Sequence, residues 1–140
     1  MKKYIVDANV LFSALIGGKE IYIKLFENYK LFAPDFILLE IDKYKSVILK
    51  KSKLPKQEFQ DFIQRLFQQI TVIPALYITD ENKEKAKELC EDIDIKDTAY
   101  IALSIEMDIP LITRDKKLYN RLIYKQFANI ILLEELLHDE

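Results

Sequence analysis

Short apolar runs alternate along this chain with longer stretches whose apolar residues recur at helical spacing. Tyr4-Ile5-Val6 reads as a buried strand ending at Asp7. Leu31-Phe32-Ala33, Ile70 to Ile73, Leu111-Ile112 and Asn129 to Leu132 repeat the pattern. Between them, Val10 to Ile16 is a short helix closed by Gly17-Gly18, a natural helix stop. Lys19 to Tyr29 is a second helical piece. Asp35 is the expected N-cap of a long helix through about Lys50, with Ile37, Ile41, Tyr44 and Ile48 as its apolar stripe. Leu54-Pro55 opens a helix through about Gln69, rich in aromatic residues at Phe59, Phe62 and Phe67. Helices are also expected over Asn82 to Glu91, from Asp94 through Ile105, over Lys117 to Tyr124 and over Glu134 to Leu137. Short apolar strands separated by helices predict a parallel sheet covered on both faces. With no repeat, low-complexity segment or linker, residues 1–140 are expected to form a single domain.

Composition narrows the chemistry. Half of the 140 residues are apolar and the formal net charge is -2, so nucleic-acid binding through bulk positive charge is disfavoured. An enzyme whose acids are neutralised by a bound metal is not. Cys90 is the only cysteine, which excludes a disulfide framework and a cysteine zinc site. His138 is the only histidine, which removes Ser-His-Asp triads, Cys-His pairs and histidine-rich metal sites. Gly17 and Gly18 are the only glycines, too few for a glycine-rich phosphate loop. No apolar run reaches membrane-spanning length, and Asp7 and Asn9 interrupt the apolar stretch after Met1-Lys2-Lys3 that would otherwise resemble a signal peptide. A reducing cytoplasm is the expected setting.

What remains is acids. Asp7 ends the first strand, and Asp115 sits where the strand at Leu111-Ile112 gives way to a loop. Ligands of open parallel sheets bind beyond the carboxyl ends of strands. Asp94 is expected as an N-cap and Asp97 in the first turn of the same helix, three apart and on one face. Glu40 interrupts the apolar run Phe36-Ile37-Leu38-Leu39-Ile41, at the edge of its helix's core stripe. Each acid has an ordinary alternative. Asp7, Asp94 and Asp115 are good caps, Asp97 suits the helix dipole, and Glu40 can reach solvent as a boundary residue. Jointly they describe a crevice whose carboxylates repel one another unless cations bind. All-oxygen ligation suits Mg²⁺ or Mn²⁺ rather than zinc or copper.

The opening Tyr4-Ile5-Val6-Asp7-Ala8-Asn9-Val10-Leu11 resembles the first motif of PIN-domain ribonucleases, a strand ending in Asp-x-Asn. Asp94 to Leu103, followed by Pro110-Leu111-Ile112-Thr113-Arg114-Asp115-Lys116-Lys117-Leu118, resembles that family's C-terminal half. The resemblance implies a three-layer α/β/α fold with a five-stranded parallel sheet in the order 3-2-1-4-5. It implies an Mg²⁺- or Mn²⁺-dependent endoribonuclease that leaves a 5′ phosphate and a 3′ hydroxyl. Carried over, Asp7, Glu40, Asp97 and Asp115 are the catalytic and metal-binding quartet and Asp94 an extra acid. Asn9 and Thr113 stand at supporting polar positions. Arg114, Lys116 and Lys117 are candidates for contacting substrate phosphate, or else simply a solvated basic helix start. The pattern is closest to small free-standing PIN proteins of the VapBC-toxin kind, many of which are held by an antitoxin. Dimerisation, common in the family, is also expected here because the aromatic helix carries more apolar surface than one core stripe needs. Two rivals stand beside the nuclease. One is a non-catalytic PIN-like module binding protein or RNA, against which an intact quartet counts. The other is a phosphoacceptor receiver domain, which needs an aspartate ending the third strand, where this chain has Pro74.

Overall fold

The computed structural model describes residues 1–138. Strands β1 (Lys3–Val6), β2 (Lys30–Pro34), β3 (Ile70–Ile73), β4 (Leu111–Thr113) and β5 (Ile130–Leu132) form one parallel sheet in the order β3-β2-β1-β4-β5. Their apolar runs have no polar face because helices cover both sides of the sheet. Ile5, Val6, Leu111 and Ile112, on the two central strands, are completely buried. Helices α1 (Ala8–Gly17), α2 (Glu20–Glu27), α3 (Phe36–Lys51) and α4 (Lys56–Phe67) pack with one another, α1 against α3 and α4, and α2 against α4. Helix α5 (Asp80–Leu89) packs on α6 (Thr98–Met107), which crosses β1, β2 and β4. Helix α7 (Lys116–Tyr124) lies on β5, and α8 (Leu133–His138) follows that strand directly. Among the described residues no helix is long and apolar enough to cross a membrane.

Four local expectations change. Asp35 makes no capping bond to α3; its carboxylate accepts instead from the Ala75 N–H at 3.2 Å, tying the start of α3 to a 3₁₀ turn at Ala75–Tyr77. Helix α5 starts two residues before Asn82, because the Thr79 hydroxyl caps it by accepting from the Asn82 N–H at 3.3 Å. Asp94 and Asp97 do not begin one α-helix, although both line the same cleft. Asp94 caps a separate 3₁₀ turn, Ile95–Asp97, and α6 begins only after Asp97, whose side chain makes no capping bond. Finally, Phe59 and Phe62 are buried in the core and Phe67 is half-buried, so the phenylalanines of this helix do not form an exposed face.

Candidate active site

The site lies at the carboxyl ends of β1 and β4. These strands pair with Val6 opposite Ile112, and the next residues on, Asp7 and Thr113, meet side by side. Asp7 is 5% exposed. It caps α1, its Oδ1 accepting from the Val10 N–H at 3.0 Å, and it also accepts from the Thr113 hydroxyl. Thr113 is fully buried, and its Oγ1 in turn accepts from the Asp115 N–H at 3.1 Å. One hydroxyl therefore links the two strand ends. Asp115 caps α7 through the Leu118 N–H at 3.0 Å and is otherwise exposed. The capping roles expected of Asp7 and Asp115 are real, and they coexist with placement in the crevice.

Glu40 is not a boundary residue. It is 8% exposed, and the buried Tyr100 hydroxyl donates to its Oε1. A carboxylate buried in this way needs such a partner. Burial and the neighbouring Glu40 carboxylate push the Tyr100 phenol well above its usual pKa, so it stays a donor. Tyr100 was not among the residues singled out from the sequence. The available signal was its position, one helical turn after Asp97 in a helix of otherwise small and aliphatic residues.

Electrostatics show which acids share the crevice. Burial above all pushes Asp7 up to about 6, with Glu40 and Asp115 adding to the rise and the bonds from Thr113 and Val10 opposing it. Burial, then Asp7, Asp94 and Asp115, push Asp97 up to about 7. Asp94 belongs to the rim. It is exposed, accepts from the Lys96 N–H, pairs with the Lys96 ammonium at 3.3 Å, and lies below the usual carboxylate range for those reasons. Among the described residues no three of the acids stand close enough to form a finished metal cage. The arrangement is a spaced set around Asp7 that pays in repulsion for every negative charge it holds. That, with the all-oxygen donor set, fits a hard divalent cation.

The three basic candidates separate. The Arg114 guanidinium donates to the Ser13 hydroxyl, and Lys116 pairs with Glu134 at 3.5 Å. Lys117 lines a cleft with Asp94, Asp97 and Asp115. Asn9 is exposed on the first turn of α1 and lines a groove with Glu40. Beneath the site, Cys90 is 4% exposed; burial pushes its thiol pKa up, and the nearby Asp97 adds to the rise.

A family model described as PIN domain matches residues 5–126. The chain belongs to the PIN-domain family. The matched span of this PIN domain runs from β1 through α7 and contains Asp7, Glu40, Asp97 and Asp115. Its fold resembles a chain of the crystal structure of VapBC2 from Rickettsia felis bound to a DNA fragment from their promoter. The TM-score is 0.61 at 18% identity, over 93% of this chain and 96% of that one, which speaks for the fold alone. No curated protein matches the chain.

Proposed function

We propose that this PIN domain is an endoribonuclease that hydrolyses RNA phosphodiester bonds with the help of Mg²⁺ or Mn²⁺. The carrying observation is the burial of Asp7 and Glu40 next to Asp97 at the shared end of β1 and β4. Burying carboxylates costs stability, and a module that only bound a partner would gain nothing from it. PIN-domain nucleases typically use divalent metals. In this chain Asp7, Asp97 and Asp115 would hold the cation, with Glu40 beside them. When bound, the cation supplies charge compensation at the phosphate and a water of lowered pKa.

The protein's own groups do the positioning. Thr113 holds Asp7 and the backbone of Asp115 together, so the two strand-end acids face the scissile phosphate as a unit. Tyr100 fixes one oxygen of Glu40, and a carboxylate has room for further donors. The donor assigned to it here is the attacking water, which Glu40 orients in line with the P–O3′ bond. The water's oxygen joins phosphorus and its proton is lost to solvent, the P–O3′ bond breaks, and the 3′ oxygen takes a proton from solvent, so the ends are a 5′ phosphate and a 3′ hydroxyl. Lys117, on the cleft with Asp97 and Asp115, meets a phosphate oxygen.

We further propose that the chain works as a single cytoplasmic domain, as the toxin of a toxin–antitoxin pair, and that it forms homodimers. The likeness to a VapBC2 chain supports the toxin reading. The aromatic residues of α4 do not support the dimer, since they are spent on the core. Exposed apolar residues at Leu38, Leu39, Leu76, Tyr77 and Ile95 do.

The test is cleavage of single-stranded and structured RNA by purified protein in Mn²⁺, with and without chelator, alongside Asp97→Asn. Metal-dependent cleavage by the wild type and a loss of at least a hundredfold in the variant are expected. Cleavage that survives chelator, or full activity in Asp97→Asn, would overturn the reading.

A further inference from the structure

Glu40, whose charge bears on Asp7, also lines a groove of about 230 Å³ between α1 and α3, together with Phe12, Ile16, Tyr44 and Val47 and with Asn9 and Lys96. That volume lies below the roughly 300–1,000 Å³ typical of sites for drug-sized ligands. Phe12 and Tyr44 meet edge to face, their ring centroids 5.4 Å apart, and both are only half-buried. The Lys43 ammonium lies 5.4 Å from the centre of the Tyr44 ring. Lys96 stands at the mouth, 3.3 Å from Asp94, and an ammonium with three donors retains capacity for a second anion. A protein with net charge -2 thus places two lysines and two aromatic rings directly beside its acids.

We infer that this groove is a binding subsite for one unpaired nucleotide next to the scissile phosphate, its base against Phe12 and Tyr44 and its phosphate facing Lys96. The inference rests on the ribonuclease reading and adds where in this chain the base beside the scissile phosphate sits. A base inside a duplex has no free face to offer, whereas an unpaired base stacks on aromatic side chains and follows a positively charged track. Stacking of this kind tolerates any base, because every base has a π-face. The charge favours a nucleotide here. A wider apolar groove between α3 and α4, lined by Ile41, Leu49, Phe59 and Ile63, contains none of the crevice acids.

The experiment compares wild type with the double variant Phe12→Leu/Tyr44→Leu, which keeps apolar bulk but removes both rings. Binding of fluorescein-labelled hexauridylate is followed by anisotropy in Ca²⁺, against a hexamer of the same backbone without bases. Wild type should bind hexauridylate at least tenfold more tightly than the abasic strand, and the double variant should bind the two alike. The rise of Tm with Mn²⁺ concentration reads the acids without the groove, and should be equal in both proteins. Equal discrimination by wild type and variant, or none by wild type, overturns the subsite. Absence of phosphodiester hydrolysis in wild type would count against the nuclease reading, while the Ca²⁺ binding comparison still decides the subsite. A variant that melts early is replaced by Tyr44→Leu alone, with the same outcomes.

Discussion

Asp7 and Asp97 ionise in the folded protein near pH 6 and 7, whereas in the unfolded chain both ionise near pH 4. Between those limits the folded protein holds protons that the unfolded chain has released. Their contribution to stability is therefore greatest below about pH 4 and is lost as pH rises to about 7. For Asp7 the loss is on the order of 3 kcal/mol. In chelator, the wild-type Tm should fall between pH 5 and pH 7.5, and Asp7→Asn or Asp97→Asn should flatten the slope. Mn²⁺ should restore the wild type at pH 7.5 by mass action and leave the variants little changed. A wild-type Tm that climbs over this range, with the same slope in both variants, would contradict the assignment. The Tyr100–Glu40 pair gives a second expectation. Tyr100→Phe removes the donor from a buried carboxylate and should cost about 1–3 kcal/mol in urea unfolding. Glu40→Gln keeps an acceptor for Tyr100 and removes a charge from the crevice, so its Tm in chelator should equal or exceed wild type. Its stabilisation by Mn²⁺ should shrink. If both variants lose stability equally and respond to Mn²⁺ as wild type does, Glu40 is structural only.

At the level of elements, the turn after α1 is the most sharply specified. Gly18 ends that helix at φ 61°, and a Cβ there would lie 2.6 Å from Leu54 Cγ. Gly18→Ala should cost about 1–2 kcal/mol from the left-handed backbone alone, plus a steric share. Adding Leu54→Ala should recover only the steric share, which a urea double-mutant cycle measures. This stop was readable in Gly17-Gly18, as the strands were in apolar runs closed by Asp7, Pro34 or Pro74. The start of α6 was not. Asp94 and Asp97 are both good cap residues, and which one caps depends on Ile95–Asp97 tightening into a 3₁₀ turn. Pattern at spacing three cannot distinguish a 3₁₀ turn from the first turn of an α-helix. Glu40 illustrates the other limit. Its place on the rim of an apolar stripe was legible, but its burial depends on Tyr100, sixty residues away in sequence. Asp7, Asp97 and Asp115 were legible because each stands where an element begins or ends. Their spacing from one another was set by tertiary packing.

For the whole molecule, apolar surface has been moved from where the sequence placed it. The phenylalanines of α4 fill the core, while Leu39 on α3 is 67% exposed and Leu76, on the turn tied to Asp35, is 94% exposed. Leu39 and Ile95 line one apolar hollow rimmed by Lys83 and Lys87. If homodimers form, this face is the one to disrupt. Leu39→Asp should shift sedimentation equilibrium from dimer toward monomer without lowering the Tm of the monomer. Phe62→Asp should instead unfold the protein, because it places an unpaired charge in the core. An unchanged dimer mass in Leu39→Asp would remove this face from consideration.

Cys90 has a practical consequence. Being the chain's sole thiol, sealed between α5 and the start of α6, it is a built-in clock for how often the floor beneath Asp97 opens. A thiol reagent in excess should label it slowly, at a rate set by local opening rather than by intrinsic reactivity. Mn²⁺ should slow labelling further in wild type and leave the rate unchanged in Asp97→Asn. Labelling as fast as in urea would mean that the floor is open most of the time. No engineered probe is required, since the molecule carries its own stopwatch beside Asp97.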